Sequence, residues 1–309
     1  MIMAMIHKQN PRLAAILQAL LVTFLWSTSW VIVKFGLKDI PAITFAGLRY
    51  FLAFLILLPF YLRSPKATRI SQLTRRDWFG LIVLGVIYYT LTQSSQFLGL
   101  LYLPAITFSL MLNFSAVIIT LLGIPTLKEF PTWLQWLGIG LFMVGVYLYF
   151  YPVDIPEAQV IGYIIAGVNV LATSIAAVLG RYVNREGRLH PLTVTVVSMG
   201  IGSILMLAIA LVVEGIPRLS LLSWGLIAWL AVVNTAFAFT LWNHTLRTLS
   251  AMESGIINNT MLIQIAVLAW IFLGERVTWL EAGGMVIVVL SVVLVQWRSK
   301  ATKQSIAQE

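Results

Sequence analysis

The chain has no cysteine and only three histidines among its 309 residues. Disulfides, thiolate chemistry and cysteine-ligated metal sites are therefore excluded, and the dispersed histidines do not form a zinc-binding pattern. Charged residues are also scarce, at 10% of the chain, against about a quarter in a soluble domain. We therefore expect no bound metal, no cofactor and no catalytic residues.

Hydrophobic residues make up 60% of the chain. They occur in runs of about 20 residues, the length of a helix that crosses about 30 Å of hydrocarbon. A membrane β-barrel would instead show alternating segments of about ten residues, which the sequence lacks. The sequence therefore predicts an all-α integral membrane protein. The ten predicted transmembrane helices cover residues 13–33, 41–62, 78–101, 104–126, 131–150, 160–182, 191–213, 223–246, 251–273 and 278–297.

One stretch of the sequence occurs twice. A shift of 146 residues superimposes KEFPTWLQWLG (128–138) on GERVTWLEAGG (274–284) and so aligns Glu129 with Glu275. The same shift, without a gap, aligns Trp78 with Trp224, Ala105 with Ala251 and Asn113 with Asn259. A fixed period indicates an internal repeat. We predict two five-helix repeats, residues 1–151 and 152–309, with close helix packing at Gly138, Gly140, Gly145, Gly283 and Gly284.

Lysine and arginine are distributed unevenly over the connectors. With a cytoplasmic N-terminus, fifteen lie on the cytoplasmic side and four outside, which predicts that both termini are cytoplasmic and that residues 151–159 face outward. The net charge of +9 thus reflects membrane topology rather than nucleic-acid binding. Because each repeat has an odd number of helices, the second repeat must be inverted. Inverted repeats are typical of carriers that open a central site to each side in turn, although channels can also contain them.

Several segments of the chain resemble the EamA family of the drug/metabolite transporter superfamily. They are FLWSTSWVIVK (24–34), Arg49, YLPAITFSLMLNFSAVIITLLGIPTLKE (102–129), NTAFAFTLWNHTL (234–246) and LGERVTWLEAGG (273–284). The resemblance implies a ten-helix permease of a cell membrane, the bacterial inner membrane being the expected one. It leaves the substrate open, since family members carry amino acids, other metabolites or drugs. Lys128 departs from the family pattern, which has Gly before this Glu.

Polar and aromatic residues recur at membrane depth on six of the predicted helices. In the third helix, Tyr88, Thr92 and Gln96 share one face, and polar side chains turn away from lipid. We predict a central polar-aromatic cavity, although an interhelical hydrogen bond is the alternative role for any single residue. Leu57, in the second predicted helix, is expected to face lipid. The candidate substrate-binding residues are Trp26, Ser27, Trp30, Arg49, Tyr88, Thr92, Gln96, Asn113, Asn169, Thr173, Asn234, Trp242 and Asn259.

Arg49 lies close to the middle of the second predicted helix, where a charge costs about 2.5–3.5 kcal/mol on insertion scales. It could bind an anionic substrate group or act as a structural cation bonded to carbonyl, Tyr or Gln groups. We prefer the structural role, because the resemblance implies an Arg here across different substrates. For Glu129 and Glu275 we likewise expect a shared structural role rather than proton coupling.

No Asp or Glu lies in the middle of any predicted helix, whereas efflux of organic cations commonly uses a membrane carboxylate. We therefore expect export of a small neutral or zwitterionic metabolite such as an amino acid, with nucleotide sugars or drugs as the alternative.

Two other classes of protein lack support in the sequence. A membrane enzyme would need a buried Asp pair, an HExxH motif or a Ser-Lys or Ser-His constellation, and none is visible. A receptor or scaffold would add long loops, but the longest predicted connector is residues 63–77. The expected partners are a small-molecule substrate and the lipid bilayer, and not nucleic acid; the oligomeric state stays open, a monomer included.

Overall fold

The computed structural model describes residues 11–65, 67–127, 130–152, 155–185, 189–246, 248–249 and 251–296. In this part of the chain ten helices are long and apolar enough to cross a membrane, so the chain is a multi-pass membrane protein. The all-α class and the ten spans are confirmed. The helices are α1 (Pro11–Gly36), α2 (Ala42–Arg63), α3 (Arg75–Tyr102), α4 (Ala105–Leu112 continued by Phe114–Leu127), α5 (Trp133–Phe150), α6 (Glu157–Arg185), α7 (Pro191–Val213), α8 (Leu221–Thr245), α9 (Ala251–Leu273) and α10 (Trp279–Gln296).

The connector between α2 and α3 is shorter than predicted. Thr74 caps α3, since the N–H of Asp77 donates to Thr74 Oγ1 (3.2 Å) and the N–H of Thr74 donates to Asp77 Oδ2 (2.9 Å). This reciprocal capping box starts the helix at Arg75. The connector also contains a short 3₁₀ helix, Ile70–Gln72.

The duplicated Thr-Trp motif is a duplicated helix start. At α5 the N–H of Thr132 donates to Gln135 Oε1 (2.9 Å), and the N–H of Gln135 donates back to Thr132 Oγ1 (3.4 Å). At α10 the N–H of Thr278 donates to Glu281 Oε2 (2.6 Å), and the N–H of Glu281 donates to Thr278 Oγ1 (3.3 Å). The 146-residue shift relates the two boxes, so both repeats use the same local device to begin their last helix.

Glycines bring α5 and α10 into close contact. A Cβ on Gly284 would lie 2.6 Å from the carbonyl oxygen of Gly145, and a Cβ on Gly138 would lie 3.0 Å from that of Ser291. The repeat shift aligns Gly138 with Gly284 and Gly145 with Ser291. The two contacts are therefore equivalent, as expected where two related helices cross at a pseudo-two-fold axis.

Three sequence-based expectations about helix faces are wrong. Gly140 and Gly283 have open space where a Cβ would lie, so they do not mediate close packing. Leu57, whose place in the sequence suggests a lipid-facing position, is only 7% exposed and belongs to the main core. Because lipid and protein core are both apolar, hydrophobicity alone does not distinguish the two faces of a membrane helix.

The two repeats are interleaved. Among the most extensive contacts are those between α5 and α10, α3 and α6, α2 and α7, and α1 and α9. Each pair joins a helix of the first repeat to a helix of the second. The core consequently lies between the repeats, and movement of one repeat must change these four contacts.

Two glutamates of the second repeat cap helices of the first. Glu214, which follows α7, accepts hydrogen bonds from the N–H groups of Ile43 (2.9 Å) and Thr44 (2.8 Å) at the start of α2. Glu275, which follows α9, accepts them from the N–H groups of Ala105 (2.7 Å) and Ile106 (3.0 Å) at the start of α4. Neither helix has a side-chain cap of its own, because a proline precedes each one. Glu275 therefore has a structural role, as expected, whereas Lys128 and Glu129 lie outside the described residues.

The Glu214 cap has a counterpart in the other half of the chain. The repeat shift aligns Glu214 with Thr68 and Thr44 with His190. The N–H of His190 donates to Thr68 Oγ1 (3.1 Å), so the same pair of positions is joined across α2 and α7 in both repeats. The duplication is thus visible in long-range hydrogen bonds as well as in the sequence.

Candidate functional site

A π-helical segment interrupts both α3 and α8 near mid-length. The segments are Gly85–Leu91 and Val232–Phe237, and the repeat shift carries residues 86–91 onto 232–237. Wider π turns disturb the regular hydrogen-bond ladder, and hydroxyl groups compensate for this here. Thr92 Oγ1 donates to the carbonyl of Ile87 and Thr235 Oγ1 to that of Leu230, both at 2.9 Å. Such segments are frequent at functional sites, and both lie at membrane depth.

Arg49 of α2 contacts the π segment of α8. Its Nε donates to Thr235 Oγ1 (3.0 Å), and its guanidinium lies 5.2 Å from the centre of the Tyr50 ring. The side chain is 4% exposed and is the one buried charged residue in the described part of the chain. Tyr50 in turn donates to Gln93 Oε1 (2.6 Å) on α3. Arg49 therefore lies between the two helices that carry π segments.

Asn234 of the same π segment connects α8 to α1. Its Nδ2 donates to the carbonyl of Leu25 and to Thr28 Oγ1 (3.2 Å), while its Oδ1 is buried without a hydrogen-bond partner among the described residues. Next to it, the Trp26 ring contacts those of Phe239 and Trp242, with centroids 5.4 and 5.3 Å apart. Trp26 Nε1 is also buried and unpartnered in the described structure. Of these candidates, Trp26 and Trp242 are in contact, and Asn234 is bonded to Leu25, which precedes Trp26 in α1.

A second cluster of candidate residues joins α3 to α6. Asn169 is fully buried and donates through Nδ2 to the carbonyl of Thr92 (2.6 Å) and to Ser95 Oγ (2.8 Å). Thr173 Oγ1 donates to Asn169 Oδ1 (3.4 Å). The two Asn169 bonds to α3 are interhelical, the alternative role weighed for each residue, whereas the Thr173 bond lies within α6. Tyr88 lies one turn away, with its ring edge-on to Tyr89 at 4.9 Å.

A hydrogen-bonded group between α1 and α9 contains a residue that the sequence analysis missed. Ser27 Oγ donates to Gln264 Oε1 (3.0 Å), and Gln264 Nε2 donates to Thr23 Oγ1 (3.2 Å) and Thr260 Oγ1 (3.0 Å). Gln264 follows Thr260 by one helical turn within an apolar run, a polar pair that could have identified it.

The remaining candidates are dispersed. Trp30 is buried against Phe108, with ring centroids 5.9 Å apart. Asn113 lies where α4 is interrupted and donates to the carbonyl of Ser109 (2.8 Å). Asn259 is 6% exposed, and its Nδ2 lacks a partner in the described structure. Gln96 is half-buried.

Five of the thirteen candidates are joined to one another by hydrogen bonds or ring contacts: Trp26 to Trp242, and Asn169 to Thr92 and Thr173. A cavity of about 370 Å³ lies elsewhere, between α4, α5 and α6, and is almost entirely apolar. None of the predicted substrate-binding residues lines it. Its lining residues are Met111, Met143, Val146, Tyr147, Phe150, Ile155 and Tyr163.

Comparison with known proteins identifies the same architecture and a transport role in its relatives. The model of the EamA-like transporter family matches residues 13–151 and 160–297. The chain is 28% identical to the uncharacterized transporter YvbV of Bacillus subtilis, over 96% of each chain. It is 26% identical to a probable amino-acid metabolite efflux pump of Salmonella typhimurium, over 87% of this chain and 90% of that protein.

Two more distant similarities complete the comparison. The chain is 25% identical to an S-adenosylmethionine/S-adenosylhomocysteine transporter of Chlamydia trachomatis, over 84% of this chain and 82% of that protein. A crystal structure of another protein superimposes with a TM-score of 0.66 at 15% identity, over 92% of this chain and 98% of the other. The second likeness supports the fold alone.

Proposed function

Because the chain belongs to the EamA-like transporter family, we propose that it exports small metabolites such as amino acids by alternating access. In this proposal the two repeats, residues 1–151 and 152–309, rearrange around a central site. Both termini lie in the cytoplasm of a bacterial cell whose inner membrane holds the protein. The substrate is a small molecule, and no nucleic acid takes part.

The pair of equivalent π segments is the observation that carries the proposal. Each segment places polar side chains at membrane depth, and each belongs to a different repeat. Wider turns give a helix a place to bend. Two equivalent π segments in oppositely oriented repeats would let each repeat bend in turn, which suits exchange between inward-open and outward-open forms.

The charge distribution favours zwitterionic or neutral solutes over cations. Arg49 is the one buried charge in the described part of the chain, and it would repel a hydrophobic cation. The name of one relative, a probable amino-acid metabolite efflux pump, supports both export and amino-acid chemistry. Another relative is an S-adenosylmethionine/S-adenosylhomocysteine transporter, and both of these molecules contain an α-amino acid group.

A nucleotide-sugar or drug transporter is the alternative within the same superfamily. A nucleotide diphosphate would call for several basic groups around its phosphates. The described residues offer only Arg49 at membrane depth on the helices of the candidate site. We therefore rank this alternative second.

Counterflow in proteoliposomes tests the proposal directly. Vesicles that contain the protein are loaded with one unlabelled solute and diluted into a trace of the same solute in labelled form. We expect transient accumulation of label with at least one amino acid, and none in protein-free vesicles. Accumulation with nucleotide sugars or drugs alone would favour the alternative, and accumulation with no member of the panel would contradict the proposed substrate range.

A further inference from the structure

The guanidinium of Arg49 has unused hydrogen-bonding capacity. It carries five N–H donors in a planar fork, yet among the described residues it donates one hydrogen bond, from Nε to Thr235. The described structure contains no carboxylate within ion-pair distance of it. A buried cation that is neither paired nor fully hydrogen-bonded is costly. Arg49 is therefore suited to an anion that is present for only part of the transport cycle.

The neighbouring π segment offers the opposite polarity. Asn234 Oδ1 is an acceptor that is completely buried and unpartnered among the described residues. Its amide orientation is fixed, because Nδ2 donates to α1. A buried acceptor without a donor is destabilising, so an ammonium group that donated to it would remove this cost.

Arg49 contacts the residue that follows Asn234 in the π segment of α8. Thr235 receives the hydrogen bond from Arg49, and Asn234 is the residue before it. Donors for an anion, on α2, and an acceptor for a cation, on α8, are thereby brought to the same π segment. A zwitterion whose two charges are a few ångströms apart matches this pairing.

We propose that Arg49 and Asn234 recognise the headgroup of an α-amino acid, with the guanidinium bound to the carboxylate and Asn234 Oδ1 bound to the ammonium. The inference rests on the proposed function. It assigns Arg49 to substrate binding, the role that sequence reasoning ranked second. In this structure Thr235 holds the guanidinium in place. Trp26 follows Leu25, to which Asn234 is bonded, and its indole, packed against Trp242, provides an apolar surface for the substrate side chain.

The first test compares three ligands with the full-length protein in detergent. L-leucine has both charges, L-leucine methyl ester lacks the carboxylate charge, and 4-methylpentanoate lacks the ammonium. We expect each analogue to bind at least about tenfold more weakly than leucine, because a hydrogen bond to a charged group contributes that factor or more. L-methionine and L-phenylalanine, each with its own ester and deaminated acid, are measured in parallel.

Two variants assign the discrimination to residues. Arg49→Gln should weaken leucine binding about tenfold and leave ester binding unchanged, so that the two ligands bind alike. Asn234→Leu should instead abolish the difference between leucine and 4-methylpentanoate. Arg218→Gln, in the exposed connector between α7 and α8, is the matched control and should retain both differences. Loss of stability alone would weaken all three ligands equally and would not produce these selective effects.

Each outcome supports or contradicts the inference. If the unmodified protein bound leucine and its ester equally, or if Arg49→Gln retained the difference, the inference would be wrong even with amino-acid counterflow intact. Failure of every amino acid in both binding and counterflow would overturn the proposed function as well. Should Arg49→Gln fail to fold, Thr235→Val removes the acceptor that orients the guanidinium, together with the hydrogen bond from Thr235 Oγ1 to the carbonyl of Leu230. It should reduce the leucine-to-ester ratio severalfold, and an unchanged ratio would contradict the inference.

Discussion

Replacing Glu214 with Gln should weaken the contact between α7 and α2. The Glu214 carboxylate accepts three hydrogen bonds: from the N–H groups of Ile43 (2.9 Å) and Thr44 (2.8 Å) and from Thr44 Oγ1 (2.8 Å). Pro41 precedes α2 and supplies no side-chain cap. Glu214 thus satisfies the orphan N–H groups that an Asp or Ser would cap in an ordinary helix.

The expected loss follows from what glutamine can still do. Its carbonyl oxygen accepts one N–H, but its NH₂ group cannot accept the other. A half-buried N–H left without an acceptor costs about 1–2 kcal/mol, and loss of the charge at the helix N-terminus adds about 0.3–1 kcal/mol. We therefore expect Glu214→Gln to lower the free energy of unfolding by about 2 kcal/mol, or the unfolding temperature by about 4 °C.

Thermal unfolding of the purified protein in detergent measures this effect through its eleven tryptophans. Glu157→Gln is the control, since Glu157 is exposed in the first turn of α6, and it should change the unfolding temperature by no more than about 1 °C. In a Thr44→Val background, which lacks only the hydroxyl hydrogen bond, Glu214→Gln should still cost about 2 kcal/mol, because the N–H groups and the helix N-terminus remain. Equal unfolding temperatures for Glu214→Gln and Glu157→Gln would refute the reasoning.

Two further predictions concern packing and topology. Gly284→Val should abolish or strongly reduce folded yield, because a Cβ there would lie 2.6 Å from a backbone oxygen of α5. Gly283→Val is the control and should fold normally, because a Cβ at Gly283 would point into open space. Equal yields of the two variants on size-exclusion chromatography would contradict the α5–α10 contact. The chain lacks cysteine, so single cysteines report topology cleanly. Arg218→Cys should react with an impermeant maleimide on intact cells and Ser71→Cys only after permeabilisation, and the reverse pattern would overturn the orientation.

Features with a local signal could be predicted from the sequence. Apolar runs of membrane-spanning length predicted ten helices, and the Thr-Trp pairs at 132–133 and 278–279 marked equivalent helix starts. Both signals depend on neighbouring residues and survive any tertiary arrangement. The repeat period was likewise readable because duplication preserved one register over many residues.

Features that depend on distant contacts could not be predicted. Glu214 lies 170 residues from Thr44, and nothing in its own sequence context identifies it as the cap of another helix. The π segments also lack a sequence signal, since a single extra residue per turn leaves an apolar run unchanged. Leu57 was misplaced because both of its possible surroundings are apolar.

In the candidate site, the sequence indicated which polar side chains face protein, but it did not indicate their hydrogen-bond partners. Polar residues in apolar runs identified Asn169 and Asn234, because a polar group at membrane depth must face protein. The sequence could not tell which of them would be satisfied. Asn169 uses its amide in interhelical hydrogen bonds, whereas Asn234 retains a free acceptor among the described residues.

Cysteine accessibility at Thr92 and Ala238 tests alternating access most directly. The repeat shift makes these positions equivalent, and both are sealed in this structure, at 4% and 0% exposure. Vesicles are prepared with the protein in each orientation, so that an impermeant maleimide reaches it from one side at a time. L-leucine should raise the reactivity of each cysteine from one side and lower it from the other. Leu55→Cys, which faces lipid, should stay unreactive. Reaction of both positions from the same side, at rates that the substrate does not alter, would contradict the carrier mechanism and favour a channel.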